Sequence, residues 1–156
     1  MQKLIIMCGP SGSGKSTFIN SIKEDYVAVS RDEIRFQYID QYGDKGNYFA
    51  YESTVVASFK ESVNRLLLEG FNVIADATFL TPKTRKEFLS AFLKGVGDVE
   101  VTAISMQTPL ALCLERNAER KGLRQVPDEV IHNMYKRFME PSTEEKFIDK
   151  VVKIYS

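Results

Sequence analysis

Gly9-Pro10-Ser11-Gly12-Ser13-Gly14-Lys15-Ser16-Thr17 combines residue types suited to one task, holding a run of phosphates. The spacing is Gly, four residues, Gly-Lys-Ser, behind the apolar run Lys3–Cys8, which is the strand-then-helix setting of a P-loop. Glycine tolerates the positive φ angles that turn successive backbone N–H groups inward. Those groups make an anion-binding concavity at a helix N-terminus, where the helix dipole also favours negative charge. Gly9, Ser11, Gly12, Ser13, Gly14 and Thr17 are therefore expected to cradle a nucleoside triphosphate, with Lys15 on its outer phosphates. The Ser16 hydroxyl is the expected protein ligand of a Mg²⁺ shared with phosphate oxygens and water. An accidental lysine in a glycine-rich turn would leave the strand and the Ser16-Thr17 pair unexplained.

A hydroxyl that attacks a γ-phosphate needs a carboxylate within reach to take its proton. Ser30-Arg31-Asp32-Glu33-Ile34-Arg35 supplies Asp32, and Arg35 three residues on shares its helical face. The planar fork of Arg35 suits a phosphate or a carboxylate. Local accounts compete: Ser30 with Glu33 has capping-box spacing, and Asp32 with Arg35 could be a plain ion pair. Asp76, with Thr78 just behind it, ends another apolar run; it reads as a Mg²⁺-directed acid, an acceptor-site residue or a turn-forming Asp. Arg116, Arg120, Lys121 and Arg124 form a basic cluster in which Arg116 and Arg120 share a helix face. Such a cluster is either a solvated face or a closing lid that sets positive charge against a transferring phosphoryl group.

The elements that must position these residues alternate along the chain. Lys3–Cys8, Tyr26–Ser30, Phe71–Ala75, Val99–Met106 and Val151–Tyr155 read as near-continuous apolar strands, hence a parallel sheet covered on both faces. Lys15–Lys23, Arg31–Ile39, Tyr48–Glu69, Pro82–Lys94, Pro109–Lys121 and Pro127–Met139 read as helices, with Pro82, Pro109 and Pro127 expected at first helical positions. Ser142-Thr143-Glu144-Glu145 predicts a short final helix, and Gly70 and Gly95 predict helix stops. The fold class is α/β, doubly wound. Ligands of such sheets bind outside the carboxyl ends of the strands, which is where the P-loop, Asp32 and Asp76 fall.

The chain has 156 residues and a formal net charge of zero, so it is expected to be one domain, 1–156, without a global basic field. Cys8 and Cys113 lie far apart in apolar stretches and read as buried reduced thiols. His132, the only histidine, has no partner at metal-ligand spacing. No leader or membrane span is read, and a cytoplasmic location is expected, of the host cell if the chain is phage-encoded. Phe36, Tyr38, Tyr42, Tyr48, Phe49 and Tyr51 adjoin the proposed acceptor region, though none can be chosen as a stacking platform.

The stretches Gly9–Thr17, Ser30–Arg35, Val73–Thr78, Thr81–Arg85, Arg116–Arg120 and Val126–Val130 together resemble the 5′-kinase module of phage-type polynucleotide kinases. The likeness spans nearly the whole chain, with Ser-Arg-Asp-x-x-Arg and the Arg-rich stretch as its discriminating parts. It implies a P-loop kinase fold, a five-stranded parallel sheet with helices on both faces and an Arg-rich lid at about 116–126. It implies phosphoryl transfer from ATP, or another triphosphate, with Mg²⁺, to the 5′-hydroxyl of DNA or RNA. By the same resemblance Asp32 is the general base, Arg35 contacts the acceptor strand's phosphate, Asp76 and Thr78 lie in the acceptor site, and Arg116 and Arg120 serve the lid. No Asp-x-Asp-x-Thr phosphatase motif occurs, so a stand-alone kinase module is expected. A kinase of hydroxymethylated bases within DNA, a nucleoside or small-metabolite kinase, and a nucleotide-binding switch without transfer remain as alternatives. A switch needs the P-loop but neither an acceptor base nor an arginine lid.

Overall fold

The computed structural model describes residues 1–44, 48–91 and 98–156. β1 (Gln2–Cys8) alternates between two apolar layers, which is why it reads as an unbroken hydrophobic run. Leu4, Ile6 and Cys8 face one core, while Ile5 and Met7 face the other. Around β1 stand β2 (Val27–Ser30), β3 (Val73–Asp76), β4 (Val99–Gln107) and β5 (Lys150–Tyr155) in the order β2-β3-β1-β4-β5. All pairings are parallel, so every strand delivers its C-terminal end to the same side.

Helices cover both faces. α1 (Lys15–Ile22) puts Ile19 on the layer of Ile5 and Met7. α3 (Glu52–Leu68) and α4 (Pro82–Ser90) put Phe59, Val63, Leu67, Phe88 and Leu89 on the other. α2 (Arg31–Tyr42) follows β2 without a loop, its first turn capped by the Ser30 hydroxyl, which accepts from the Glu33 N–H at 3.2 Å. α5 (Leu110–Ala118) and α6 (Asp128–Arg137) share a third cluster of Cys113, Val126 and Ile131. Between them Asn117, buried, staples the intervening loop: it donates to the Val126 carbonyl at 2.7 Å and accepts from its N–H at 3.0 Å.

Several boundaries differ from expectation: α2 runs on to Tyr42 rather than Ile39, β3 is Val73–Asp76 rather than Phe71–Ala75, and α5 and α6 end at Ala118 and Arg137 rather than Lys121 and Met139. Residues 48–50 form a turn, so α3 begins at Glu52 rather than Tyr48. Pro82 is at N1 as expected, but Pro109 and Pro127 are N-caps with extended ψ, one position outside their helices. α4 is described to Ser90; its expected continuation to Lys94 and the stop at Gly95 fall outside the described residues. Residues 142–145 form a turn, not a helix. Glu145 does reach back to the Ser142 N–H at 2.9 Å, as in a capping box. Its carboxylate is also clamped by Arg85, at 2.8 and 3.0 Å, and Phe147 at φ 79 turns the chain toward β5. The Gly70 stop is present at φ 92 after the α3 C-cap.

Candidate active site

The loop from Gly9 to Gly14 joins β1 to α1 and is held from both sides. The Gly9 N–H donates to the Thr78 carbonyl beyond β3 at 2.9 Å, and the Thr108 hydroxyl beyond β4 donates to the Ser13 carbonyl at 2.7 Å. Gly12 sits at φ 81, where a Cβ would stand 2.5 Å from the Cys113 carbonyl oxygen. Close approach of the loop to α5 therefore requires glycine at this position. Gly14, at φ 98, is the α1 N-cap. The Lys15 ammonium folds onto the loop, donating to the Gly9 and Pro10 carbonyls at 2.7 and 3.1 Å. Burial pulls its pKa below the ordinary lysine value, with Asp76 and Asp32 opposing.

Above this loop lies a cleft of about 180 Å³. Lys15, Asp32, Asp76, Arg116 and Arg120 converge on it, over a floor of Ser11, Gly12, Gly14, Ser16 and Thr17. These residues come from the exits of three strands and from the segment beginning in α5, although they span more than a hundred positions of sequence. Gly9 and Ser13 support the loop without lining the cleft. Arg116 donates to the Gly12 carbonyl at 3.2 Å. The Asp76 carboxyl is raised above the ordinary aspartate range by burial, with Lys15 opposing.

Arg35 lies just outside the cleft. It is 2% exposed, and its two Nη atoms meet Asp32 at 2.5 Å and Glu52 at 2.7 Å. Burial disfavours its charge, but the Glu52 hydrogen bond and the two carboxylates outweigh that and raise its pKa. Tyr48 and Phe49 stack on the guanidinium at 5.0 and 5.3 Å. Thr78 turns from the cleft toward a neighbouring cavity and accepts from Arg31 Nη2 at 3.3 Å. The other aromatics of this region divide: Tyr38, Tyr42 and Tyr51 form one ring cluster, and Phe36 lies under Arg124 at 5.2 Å. Arg124 also pairs with Glu33 at 2.5 Å, so the basic loop reaches across to α2. His132 is exposed, and both cysteines are free and buried.

Two groups were invisible to sequence reasoning. Arg31 sits inside the Ser-Arg-Asp stretch yet carried no assignment; burial lowers its pKa, and its Nε has no partner. Glu52 is seventeen residues from Arg35 and pairs with it only because α3 packs on α2.

The donor set fits a triphosphate and one Mg²⁺. The Ser13 hydroxyl is buried without a partner, the loop excludes a Cβ at Gly12, and Ser16 presents a hydroxyl at the first turn of α1. Among the described residues no group of three or more His, Cys, Asp or Glu could hold a metal by itself. Mg²⁺ keeps waters and binds phosphates plus one or two protein oxygens, so it needs no such cage.

The family described as AAA domain, AAA_33, matches residues 4–141. The chain belongs to this family. It has the fold of P-loop kinases and is similar in sequence to polynucleotide kinase modules. The L-seryl-tRNA(Sec) kinase of Methanococcus maripaludis is 28% identical over 151 residues, 90% of this chain and 54% of that protein. The protein of Autographa californica nuclear polyhedrosis virus named "Putative bifunctional polynucleotide kinase/RNA ligase" is 26% identical over 94% of this chain and 22% of its own length. A chain in the structure of the Pnkp1/Rnl/Hen1 RNA repair complex superposes with a TM-score of 0.69 and 27% identity, over 87% of this chain and 43% of that one. The chain thus spans about half or less of the length of these relatives. Among the described residues no helix is long and apolar enough to cross a membrane.

Proposed function

We propose that this domain transfers the γ-phosphoryl group of ATP to a hydroxyl carried by a nucleic acid, and that this hydroxyl is the 5′-OH of a DNA or RNA strand. The observation that carries the reading is the meeting of Asp32 with Lys15, Arg116 and Arg120 in one cleft over the P-loop. Lys15 and the loop amides hold the β- and γ-phosphates. Ser16 would hold Mg²⁺, which when bound would supply positive charge against the phosphates. Asp32 accepts the proton of the acceptor hydroxyl as its oxygen bonds to the γ-phosphorus. The bond from that phosphorus to the β–γ bridging oxygen breaks, and ADP leaves. Arg116 and Arg120 stand over the equatorial oxygens, where positive charge is most effective.

Arg35 fits two roles, a contact to the acceptor strand's phosphate or a brace that aims Asp32. Its double carboxylate pairing favours the brace. A brace acts on kcat, and a phosphate contact acts on the KM for the acceptor, so Arg35→Ala separates them.

The similarity to an L-seryl-tRNA(Sec) kinase supports a second reading, a hydroxyl on a group attached to RNA. Labelled γ-phosphate offered with 5′-OH oligonucleotides, seryl-tRNA, hydroxymethyl-base duplexes and free nucleosides decides among them. Label at the 5′ end is the expected result; label only on another acceptor replaces the reading.

A further inference from the structure

Residues 119–125, between α5 and α6, carry Arg120 onto the wall of the cleft. The base of this loop is pinned, because buried Asn117 bonds both the N–H and the carbonyl of Val126. Gln125 adds a long bond to the Ala118 carbonyl at 3.5 Å. The tip has no such support from within. Gly122 turns it at φ 61 with open space where a Cβ would stand, and Leu123, its one large apolar side chain, is 40% exposed.

What holds the tip is a guanidinium. Arg124 pairs with Glu33 at 2.5 Å and lies over the Phe36 ring at 5.2 Å. Glu33 and Phe36 are three apart on α2, so one helix face supplies both partners. Among the described residues this is the one ion pair that ties the loop to another element. The same first turn of α2 presents Asp32 to the cleft, with Arg35 bonded to it. One turn of helix therefore carries the candidate base and, at the next position, the anchor of the arginine loop.

As an exposed ion pair the contact adds little to folding. Its place gives it another use. Lys15, Arg116 and Arg120 crowd one cleft, and like charges repel. Asp32, the acid that faces them from α2, is already bonded to Arg35. Until phosphates enter, the tether at the tip opposes the outward push on Arg120. We propose that Glu33 and Arg124, backed by Phe36, form a latch that holds Arg120 over the cleft in register with Asp32. These are positioning residues, acting through Arg120 rather than on the phosphates. The inference rests on the kinase reading above and goes beyond it, because the helix that carries the base also sets the place of the phosphate-side arginine.

Glu33→Ala, Arg124→Ala and the double variant test the latch against wild type by two readouts. Alanine keeps the helix propensity of position 33, so all four proteins should fold alike. With enzyme in excess and ATP saturating, each single variant should slow transfer to a 5′-OH oligonucleotide by about two- to fivefold. Both changes break one contact, so the double variant should be no slower than the slower single variant. The second readout needs no transfer. Arg120 and Lys121 make the loop a trypsin site, and cleavage there, followed by mass spectrometry, reports its opening. Glu33→Ala should be cut about two- to fivefold faster than wild type. Unchanged transfer rates in the single variants, or losses that multiply in the double variant, overturn the inference and leave the kinase reading intact. If wild type phosphorylates no strand, the kinase reading falls and cleavage alone decides the latch, faster cutting of Glu33→Ala supporting it. Equal cleavage of Glu33→Ala and wild type rejects it in either case.

Discussion

The donor and acceptor sides proposed for this cleft are built by different means. The proposed donor side is nine consecutive residues, most of which would act through their backbone, and its shape depends on glycine where Gly12 meets α5. The proposed acceptor side is assembled from side chains on α2, α3 and the β3 exit, tied by pairs such as Arg35–Glu52. A backbone cradle serves any triphosphate, because every peptide offers the same N–H. Side chains from separate elements can be exchanged singly, so on the proposed function the choice of acceptor would reside there. Within a P-loop kinase family, then, the donor side should vary little in geometry and the acceptor side should carry the specificity.

The sharpest way to break this division is Asp32→Asn. General-base catalysis contributes about 10²- to 10⁴-fold, so turnover should fall by that factor while ATP affinity stays within threefold or so. A parallel loss of ATP binding, measured by calorimetry, would place Asp32 on the donor side. Next in size is Glu145→Ala. It leaves the fully buried Arg85 unpaired, and losing one partner of a buried pair costs about 3–5 kcal/mol of stability. Urea unfolding reads that loss directly; a change below about 1 kcal/mol would show that Arg85 finds water or another acceptor.

Gly12→Ala tests the donor side in the same way. A non-glycine residue at φ 81 costs about 1–3 kcal/mol, and the new methyl meets the Cys113 carbonyl. Weaker ADP binding and a lower Tm are expected together; an unchanged Tm would show that α5 yields. The smallest effect belongs to Arg124→Ala. Arg124 and Glu33 are 62% and 50% exposed, and exposed pairs contribute about 0–1 kcal/mol. Stability should hardly move, so any clear change in kcat reports lid closure rather than folding.

The donor side was legible in the sequence because its information is contiguous: spacing, glycines and lysine all fall within one loop. The sheet was legible for a related reason, since strands buried on both faces cannot hide their apolar runs. Asp32 and Arg35 could be singled out because they share one helical turn, yet Glu52 could not, because only helix packing brings it to Arg35. At Ser142 the capping-box bond forms without a helix behind it, while Arg85, sixty residues away, also holds the Glu145 carboxylate. Pro109 and Pro127 moved from first turn to cap because proline's fixed φ suits either position and only ψ decides. The phenylalanine-lined cavity beside Thr78 had no sequence signature at all, since its walls come from four helices and the turns at Phe49 and Phe79.

The account stands or falls on whether the two sides work together on one reaction. ADP release from the wild-type protein and ATP should be followed with a 5′-OH oligonucleotide, with the same strand already 5′-phosphorylated, and with no strand. The account predicts sustained ADP release with the 5′-OH strand alone, one phosphate transferred per ADP. Release at the same rate in all three, or tight ATP binding with no release in any, would contradict it.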